Sequence, residues 1–339
     1  MEKILVIQTA FLGDIVLTLP MIQKLKEKFS NSEIDVLCIP STKEIFDASP
    51  VVNSSIVIDK RGKQKHILSF YRFVKELKKE NYTRIYSPHR SLRSALIVKF
   101  LNPEKSFGFS NSAFKEAFTN IIKYDTQKHE IQKNLDLAQI SYDSGSWRIK
   151  PELNLLSDFK KPLEDFFVNY TSESKLYAFA PGSVWNTKKY PVEYFERIIR
   201  YFVEKDKFVI LIGGEADRTI CENIASQFNE RVFSAAGKFS VLESIKILGK
   251  AEILISNDSA PTHFGMCADI PVLTIYCSTV PAFGFYPYND KSSYVSFDDL
   301  SCKPCGIHGH KKCPVGTFDC AYKLLPENII MKVESMLND

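Results

Sequence analysis

The stretch Ala251-Glu252-Ile253-Leu254-Ile255-Ser256-Asn257-Asp258-Ser259-Ala260-Pro261-Thr262-His263 decides how the rest of the chain is read. Its first five residues carry an apolar strand pattern, which stops at polar residues. A capping Ser or Asp follows, and Pro261 sits where the first helical residue should be. A strand that turns directly into a helix leaves free backbone N–H groups at the C-terminal edge of a sheet. With the positive end of the helix dipole, that edge binds anions, phosphate above all. Asp258 and His263 flank the turn and suit hydroxyls or a leaving group. The same residues also read as an ordinary capped helix, because Ser, Asp and Pro are common at such positions.

Outward from this turn, strand and helix patterns alternate. In the first half, strands are predicted at residues 4–8, 34–39, 55–59, 84–87 and 106–109, with helices at 15–29, 67–79, 91–101 and 130–142. Pro20 should kink the first helix or delay its start. Residues 143–174 are less regular and include Pro151 and Pro162, so the domain junction is placed there. The second half repeats the alternation, with strands at 176–180, 208–213, 232–234, 252–256 and 272–276. Its helices fall at 192–204, 216–228, 241–248 and 262–268, and a last helix at 326–337. The expected class is α/β, with two parallel-sheet domains at 1–160 and 172–322 and a closing helix at 323–339. Ligands in such sheets bind outside the carboxyl ends of the strands, so both halves should turn those ends toward a shared cleft.

Composition narrows the class further. The chain has 339 residues, 45% hydrophobic and 25% charged, which suits a globular protein of two domains. No apolar run reaches the roughly 18 residues a membrane helix needs. Met1-Glu2-Lys3-Ile4-Leu5-Val6-Ile7 reads as a strand rather than a signal peptide, so a cytoplasmic protein is expected. Net charge is only +4, but residues 60–105 hold 13 Lys/Arg against 3 Asp/Glu. A basic face of that kind suits a membrane surface, nucleic acid or an acidic small molecule, although most of those lysines also fit a solvated helical surface. Cys38, Cys221, Cys267 and Cys277 lie in apolar patterns and read as small core residues. Cys302, Cys305, Cys313 and Cys320 are clustered, with His308 and His310 between them. A reducing cytoplasm disfavours disulfides there; a structural zinc site or a metal-free thiol loop remain the two readings.

Three further loops fall at predicted strand ends. Ala180-Pro181-Gly182-Ser183-Val184-Trp185-Asn186-Thr187-Lys188-Lys189-Tyr190-Pro191 offers close backbone approach at Gly182 and Ser183, and a lysine to neutralise a diphosphate. Gly213-Gly214-Glu215-Ala216-Asp217-Arg218 ends a strand in two glycines and a carboxylate. Glu215 can accept from ribose hydroxyls or simply favour a helix first turn. Phosphate sites on successive strand ends together favour nucleotide binding. The first-half loop Gln8-Thr9-Ala10-Phe11-Leu12-Gly13-Asp14-Ile15 is neither a dinucleotide fingerprint nor a P-loop, which argues against a dehydrogenase or ATPase. Asp14 reads either as a general base or as a cap for the helix at Ile15.

Taken in order, Phe11-Leu12-Gly13-Asp14-Ile15-Val16-Leu17-Thr18-Leu19-Pro20, Lys188-Lys189-Tyr190-Pro191, the Gly213-Gly214-Glu215 turn and the residue 256–263 turn resemble glycosyltransferase family 9. Its best-known members are the ADP-heptose:lipopolysaccharide heptosyltransferases. His89-Arg90-Ser91-Leu92-Arg93-Ser94 and Phe107-Gly108-Phe109 look like the family's first-domain loops, and the cysteine cluster is similar to one in a subset of members.

The resemblance implies a GT-B fold with two Rossmann-like domains. It implies inverting transfer of a heptose from an ADP-sugar donor, without a metal cofactor, to a lipid A–Kdo or core oligosaccharide acceptor. Asp14 matches the catalytic base and Lys188 the diphosphate-binding lysine. Ser183 and Val184 fall at the phosphate-lining positions, Glu215 at the ribose carboxylate and Phe239 where an apolar side chain packs on adenine. Asp258, Ser259, Ala260 and His263 match the motif that holds sugar and diphosphate. Val184 lacks the hydroxyl common there, and Ser259-Ala260 stands where Thr/Ser-Gly is commoner. Lys188, His263 and the helix start would meet the leaving diphosphate's charge. Lys60, Arg61, Arg90 and Arg93 fit an acidic acceptor at the inner-membrane surface. A nucleotide-sugar epimerase on the same fold is the alternative enzyme, and a zinc-dependent nucleic-acid binder is disfavoured because the basic stretch lacks interleaved aromatic platforms.

Overall fold

The computed structural model describes residues 2–155, 161–168 and 175–338. The chain divides into two compact units, Met1–Asn154 and Leu155–Asp339. The sequence-predicted domain limits at 160 and 172 lie outside the described residues.

The first unit contains strands β1 (Lys3–Ile7), β2 (Glu33–Cys38), β3 (Ser54–Val57), β4 (Arg84–Ser87), β5 (Lys105–Phe109) and β6 (Asn120–Ile122). Its helices are α1 (Leu12–Val16), α2 (Leu19–Lys28), α3 (Lys43–Asp47), α4 (Ile67–Lys78), α5 (Leu92–Leu101) and α6 (Glu130–Leu137). The second unit contains β7 (Leu176–Ala180), β8 (Phe208–Leu211), β9 (Val232–Ser234), β10 (Ile253–Asn257), β11 (Val272–Tyr276) and β12 (Ser293–Ser296). Its helices are α7 (Lys161–Val168), α8 (Val192–Glu204), α9 (Arg218–Ala225), α10 (Val241–Leu248), α11 (Ala260–Ala268), α12 (Asp319–Tyr322) and α13 (Pro326–Asn338).

The two sheets share one topology. The first runs β3-β2-β1-β4-β5-β6 and the second β12-β11-β10-β7-β8-β9, the same order when β7 is counted as the first strand. Every neighbouring pair is parallel. This is the doubly wound order, in which the chain reverses its direction of winding between β1 and β4, and again between β7 and β10. At such a switch point the flanking loops part and leave a crevice at the strand C-termini. The central strands are buried on both faces: Ile4, Leu5, Val6 and Ile7 in β1, and Ile253, Leu254 and Ile255 in β10, are fully inaccessible. That burial explains why they are continuous apolar runs rather than alternating ones.

Two local differences from the sequence reading have plain causes. The predicted first helix is broken into α1 and α2, and Pro20 stands in the first turn of α2, where its missing N–H costs nothing. Strands β6 and β12, and helices α3, α7 and α12, are not among the elements expected from the sequence. Both strands are at sheet edges, three and four residues long, and contain no fully buried residue, so their apolar signal is weak. Helix α13 packs on α8 within the second unit, with Ile329 and Val333 in the same core cluster as Phe195 and Phe202.

Candidate functional site

In the second unit the informative groups stand on loops that leave β7 and β10, the two strands flanking the switch point. Asn257, the last residue of β10, is fully buried. Its side-chain carbonyl accepts from the Tyr190 backbone N–H at 3.0 Å, and its amide donates to the Pro181 carbonyl at 2.8 Å. One side chain therefore staples both ends of the loop that carries Lys188. Lys188 lies in a 3₁₀ turn, Asn186–Lys188, and its ammonium reaches Asp258 Oδ2 at 2.6 Å. Both side chains are less than 15% exposed, at 14% and 12%. The Thr279 hydroxyl donates to the same carboxylate oxygen at 2.6 Å. Lysine and carboxylate thus meet just ahead of α11.

The start of α11 differs in detail from the expectation. Ser259 occupies the N-cap position in extended backbone, but its hydroxyl makes no cap bond to the helix N–H groups. Ala260 is the first helical residue and Pro261 the second. The first-turn N–H groups are therefore left without a side-chain cap, and the helix gives them a favourable dipole for an anion. His263 is 4% exposed, and burial pushes its imidazole down to about 4. At neutral pH it is uncharged. In the donor-free site His263, expected as a cation for a leaving diphosphate, therefore offers a hydrogen bond in place of a positive charge. Its Nδ1 is buried and takes no hydrogen-bond partner among the described residues.

Glu215 opens a 3₁₀ turn, Glu215–Asp217, before α9. Its carboxylate pairs with Arg218 at 2.7 Å, and Arg218 also donates to the Gly237 carbonyl at 2.7 Å. Gly237 has φ +68°, and a Cβ there would press on Glu215 Oε2 at 2.8 Å, so glycine is required to seat this bracket. Phe239 follows, half-buried, between β9 and α10. Gly182 has an internal constraint: a Cβ there would meet Asp217 Oδ1 at 2.1 Å. Ser183 is half-buried and Val184 is 83% exposed at the tip of its loop. Asn257 and Thr279 are the residues whose roles sequence reasoning missed.

The thiol-rich loop leans on the same Lys188 turn. The Thr187 hydroxyl accepts from the His310 N–H at 2.7 Å and from the Ser278 hydroxyl at 3.0 Å. Asn186 donates to the Lys311 carbonyl at 3.1 Å, and Trp185 stacks near His308 with ring centroids 6.3 Å apart. All eight cysteines are free thiols. Cys38, Cys221, Cys267 and Cys277 are buried, as small core residues should be. Burial, and then the neighbouring thiols of Cys302 and Cys313, push Cys305 upward. Among the described residues, however, no three His, Cys, Asp or Glu side chains converge on a common metal position.

In the first unit the corresponding loops leave β1, β3 and β4. Asp14 is the third residue of α1, whose N-cap is Phe11, so it does not cap that helix. Burial, and then the charge of Glu130, push its carboxyl up to about 6, with Arg90 opposing. Glu130 is itself held by Lys133 at 3.2 Å. On the same turn after β1, Thr9 accepts from Lys60 through its hydroxyl at 2.6 Å and its carbonyl at 3.1 Å, and burial lowers the Lys60 ammonium to about 8. His89 meets Thr9 at 2.8 Å and Ser94 at 2.9 Å. Arg90 lies over the Tyr124 ring at 4.3 Å, and Arg93 over Phe70 at 5.4 Å. Arg61 is exposed on the turn after β3, outside these contacts.

Comparison with known proteins agrees with this geometry. The model of a family described as glycosyltransferase family 9 (heptosyltransferase) matches residues 70–315. The lipooligosaccharide heptosyltransferase 2 of Campylobacter jejuni is 24% identical over 342 residues, covering 98% of this chain and 99% of that one. Among solved structures, a family 9 glycosyl transferase from Veillonella parvula superimposes with TM-score 0.86 at 20% identity, covering 99% and 97% of the two chains. The ADP-heptose lps heptosyltransferase II of Escherichia coli does so with TM-score 0.75 at 18% identity, covering 99% and 98%.

Proposed function

Because the chain belongs to glycosyltransferase family 9, and so has the GT-B fold of that family, we propose that it transfers a heptose from ADP-heptose to a lipopolysaccharide or lipooligosaccharide core acceptor, with inversion at the anomeric carbon. The observation that carries the reading is the cluster of Lys188, Asp258 and Thr279 at the uncapped start of α11. It presents a cation beside the positive end of a helix dipole at one strand end, which is what a departing diphosphate requires.

In this reaction the acceptor hydroxyl oxygen attacks the anomeric carbon while the carbon–oxygen bond to the diphosphate breaks. The hydroxyl proton passes to Asp14, and the electron pair leaves with ADP. A carboxyl near 6 is ionised at neutral pH yet basic enough to hold the proton it takes. Lys188 meets the diphosphate, and its bond to Asp258 keeps it in place before donor arrives. Glu215, already fixed by Arg218, accepts from the ribose hydroxyls, and Phe239 packs on the adenine. Ser183, Val184, Ser259 and Ala260 line the phosphates and sugar, and His263 donates or accepts as a neutral imidazole. Lys60, Arg90 and Arg93, with Arg61 at the edge, receive the acceptor's acidic groups.

The test is a donor screen followed by transfer. ADP should raise the melting temperature more than UDP or GDP, and ADP-heptose should yield ADP only when a core acceptor is present. Asp14→Ala should abolish transfer and keep ADP binding. A uridine preference, or an epimerised sugar nucleotide formed without acceptor, would overturn the proposal.

A structural zinc at Cys302, Cys305, Cys313 and Cys320 is a separate proposal. Four thiols are suitable donors, although they must close further to form a tetrahedral set. One equivalent of zinc per chain, lost in Cys302→Ser, supports it; metal-free protein with the melting temperature of that variant removes it. We place the enzyme in surface contact with the cytoplasmic side of the inner membrane, a setting that the basic stretch at residues 60–105 suits; no helix among the described residues is long and apolar enough to cross a membrane.

A further inference from the structure

We propose that the outer face of α4 and α5 is a docking surface for an anionic phospholipid bilayer. The reading rests on the membrane-surface placement given above only for its choice of membrane; the observations are independent of the sugar chemistry.

Helix α5 is apolar nearly all round. Ala95, Ile97, Val98 and Leu101 are buried in the first unit's core, while Leu92, Leu96 and Phe100, four residues apart, point outward at 53%, 41% and 46% exposure. A helix of that kind expects cover on both sides, and the chain covers one. Helix α4 packs beside it and adds Ile67, Leu68 and Tyr71, exposed by 85%, 72% and 47%. Tyr71 sits edge-on to Phe100 with centroids 5.4 Å apart, so the two helices present one continuous apolar patch. Between them runs a groove of about 570 Å³, lined by Ile67, Phe70, Leu92 and Leu96 among others.

The rim decides the occupant. Lys63, Lys65, Arg72, Lys75 and Lys99 are all exposed around this patch. The two acids at the C-terminal end of α4, Glu76 and Glu80, are already paired, with Lys79 and with Lys3 at 2.6 Å. An apolar centre with a lysine-rich margin is the composition of an interfacial element that lies in the headgroup layer. Protein interfaces are instead depleted in lysine. A second copy of the chain docked face to face would bring two basic rims together, which is repulsive.

The experiment is co-sedimentation of the full chain with vesicles, needing no sugar donor or acceptor. The protein should bind phosphatidylglycerol–phosphatidylcholine vesicles about tenfold or more tightly than pure phosphatidylcholine vesicles, and salt should weaken that binding. The double variant Leu68→Glu/Leu96→Glu changes only exposed positions and should keep the wild-type melting temperature. It should lose binding about tenfold or more, because both apolar anchors become charged. Lys65→Glu/Lys75→Glu should lose the preference for the anionic lipid. Wild-type protein that ignores anionic vesicles overturns the proposal. So does binding unchanged in the Leu68/Leu96 variant, or a dimer in sedimentation equilibrium that this variant dissolves, which would assign the face to a second copy. Transfer to a soluble deacylated acceptor reads the catalytic proposal separately: it can survive while vesicle binding fails, and the reverse.

Discussion

The turn after β1 and the turn after β10 each leave a strand that flanks the switch point of its sheet, yet they treat a carboxylate in opposite ways. Asp258 is matched: Lys188 stands 2.6 Å away and Thr279 donates to it. Asp14 is left unmatched: no ion pair reaches it among the described residues, and burial and the negative charge of Glu130 raise it to about 6. On the mechanism proposed above, one turn keeps charge still and the other lets a proton come and go. Two copies of one topology have been given different electrostatic tasks by a handful of side chains.

The contrast is most sharply broken at Asp14. Asp14→Asn keeps the shape and removes the proposed base, and transfer should fall by about 10²–10⁴-fold in a product assay. Folding should respond in the other direction. A carboxyl raised from 3.8 to about 6 favours the native state while protonated, and that advantage is lost as pH rises from 3.8 through about 6. Above pH 7 the native state bears the full cost of the buried charge. The asparagine variant should therefore be more stable at pH 8, by about 1–3 kcal/mol in a denaturant titration, with little difference at pH 4.

At the matched turn the sign reverses, because removing one partner strands the other. Lys188→Ala should weaken ADP binding about 10–100-fold by calorimetry, the worth of a charge-assisted contact. It should also lower stability by exposing Asp258 to an unpaired, largely buried state. Asn257→Ala should cost the second unit about 1–3 kcal/mol, since it leaves two backbone partners unsatisfied. A melt that stays at the wild-type temperature would mean the staple is idle. The smallest effect belongs to Glu130→Gln. Taking away its charge lowers Asp14, so the acid limb of the pH–rate profile should move below 6 by less than a unit, and a limb that stays put would separate Glu130 from the base.

Much of this was legible in the order of the residues. Strands buried on both faces announce themselves by composition alone, so β1, β4, β7, β10 and β11 could be placed nearly to the residue. The turn at residues 256–263 was readable because strand, polar stop and Pro261 lie together in the sequence. What escaped depends on distance through space. Asn257 was visible within the motif, but its task is set by Tyr190 and Pro181, 67 and 76 residues away. Thr279 belongs to the loop after β11 and gives no local signal. His263 looked like a cation because sequence does not report burial; the sheet and helices around it make it neutral.

The grip of the thiol loop on Thr187 carries a thermodynamic consequence. Residue 187 is next to Lys188, so the loop and the nucleotide share one short piece of backbone and must settle its conformation together. Such sharing is reciprocal: whatever factor loop ordering adds to nucleotide affinity, bound nucleotide returns to the ordering of the loop. Saturating ADP should then slow alkylation of Cys313, and the alkylated protein should bind ADP more weakly. A loop some 120 residues beyond the lysine it supports becomes a second handle on the affinity of the proposed donor site.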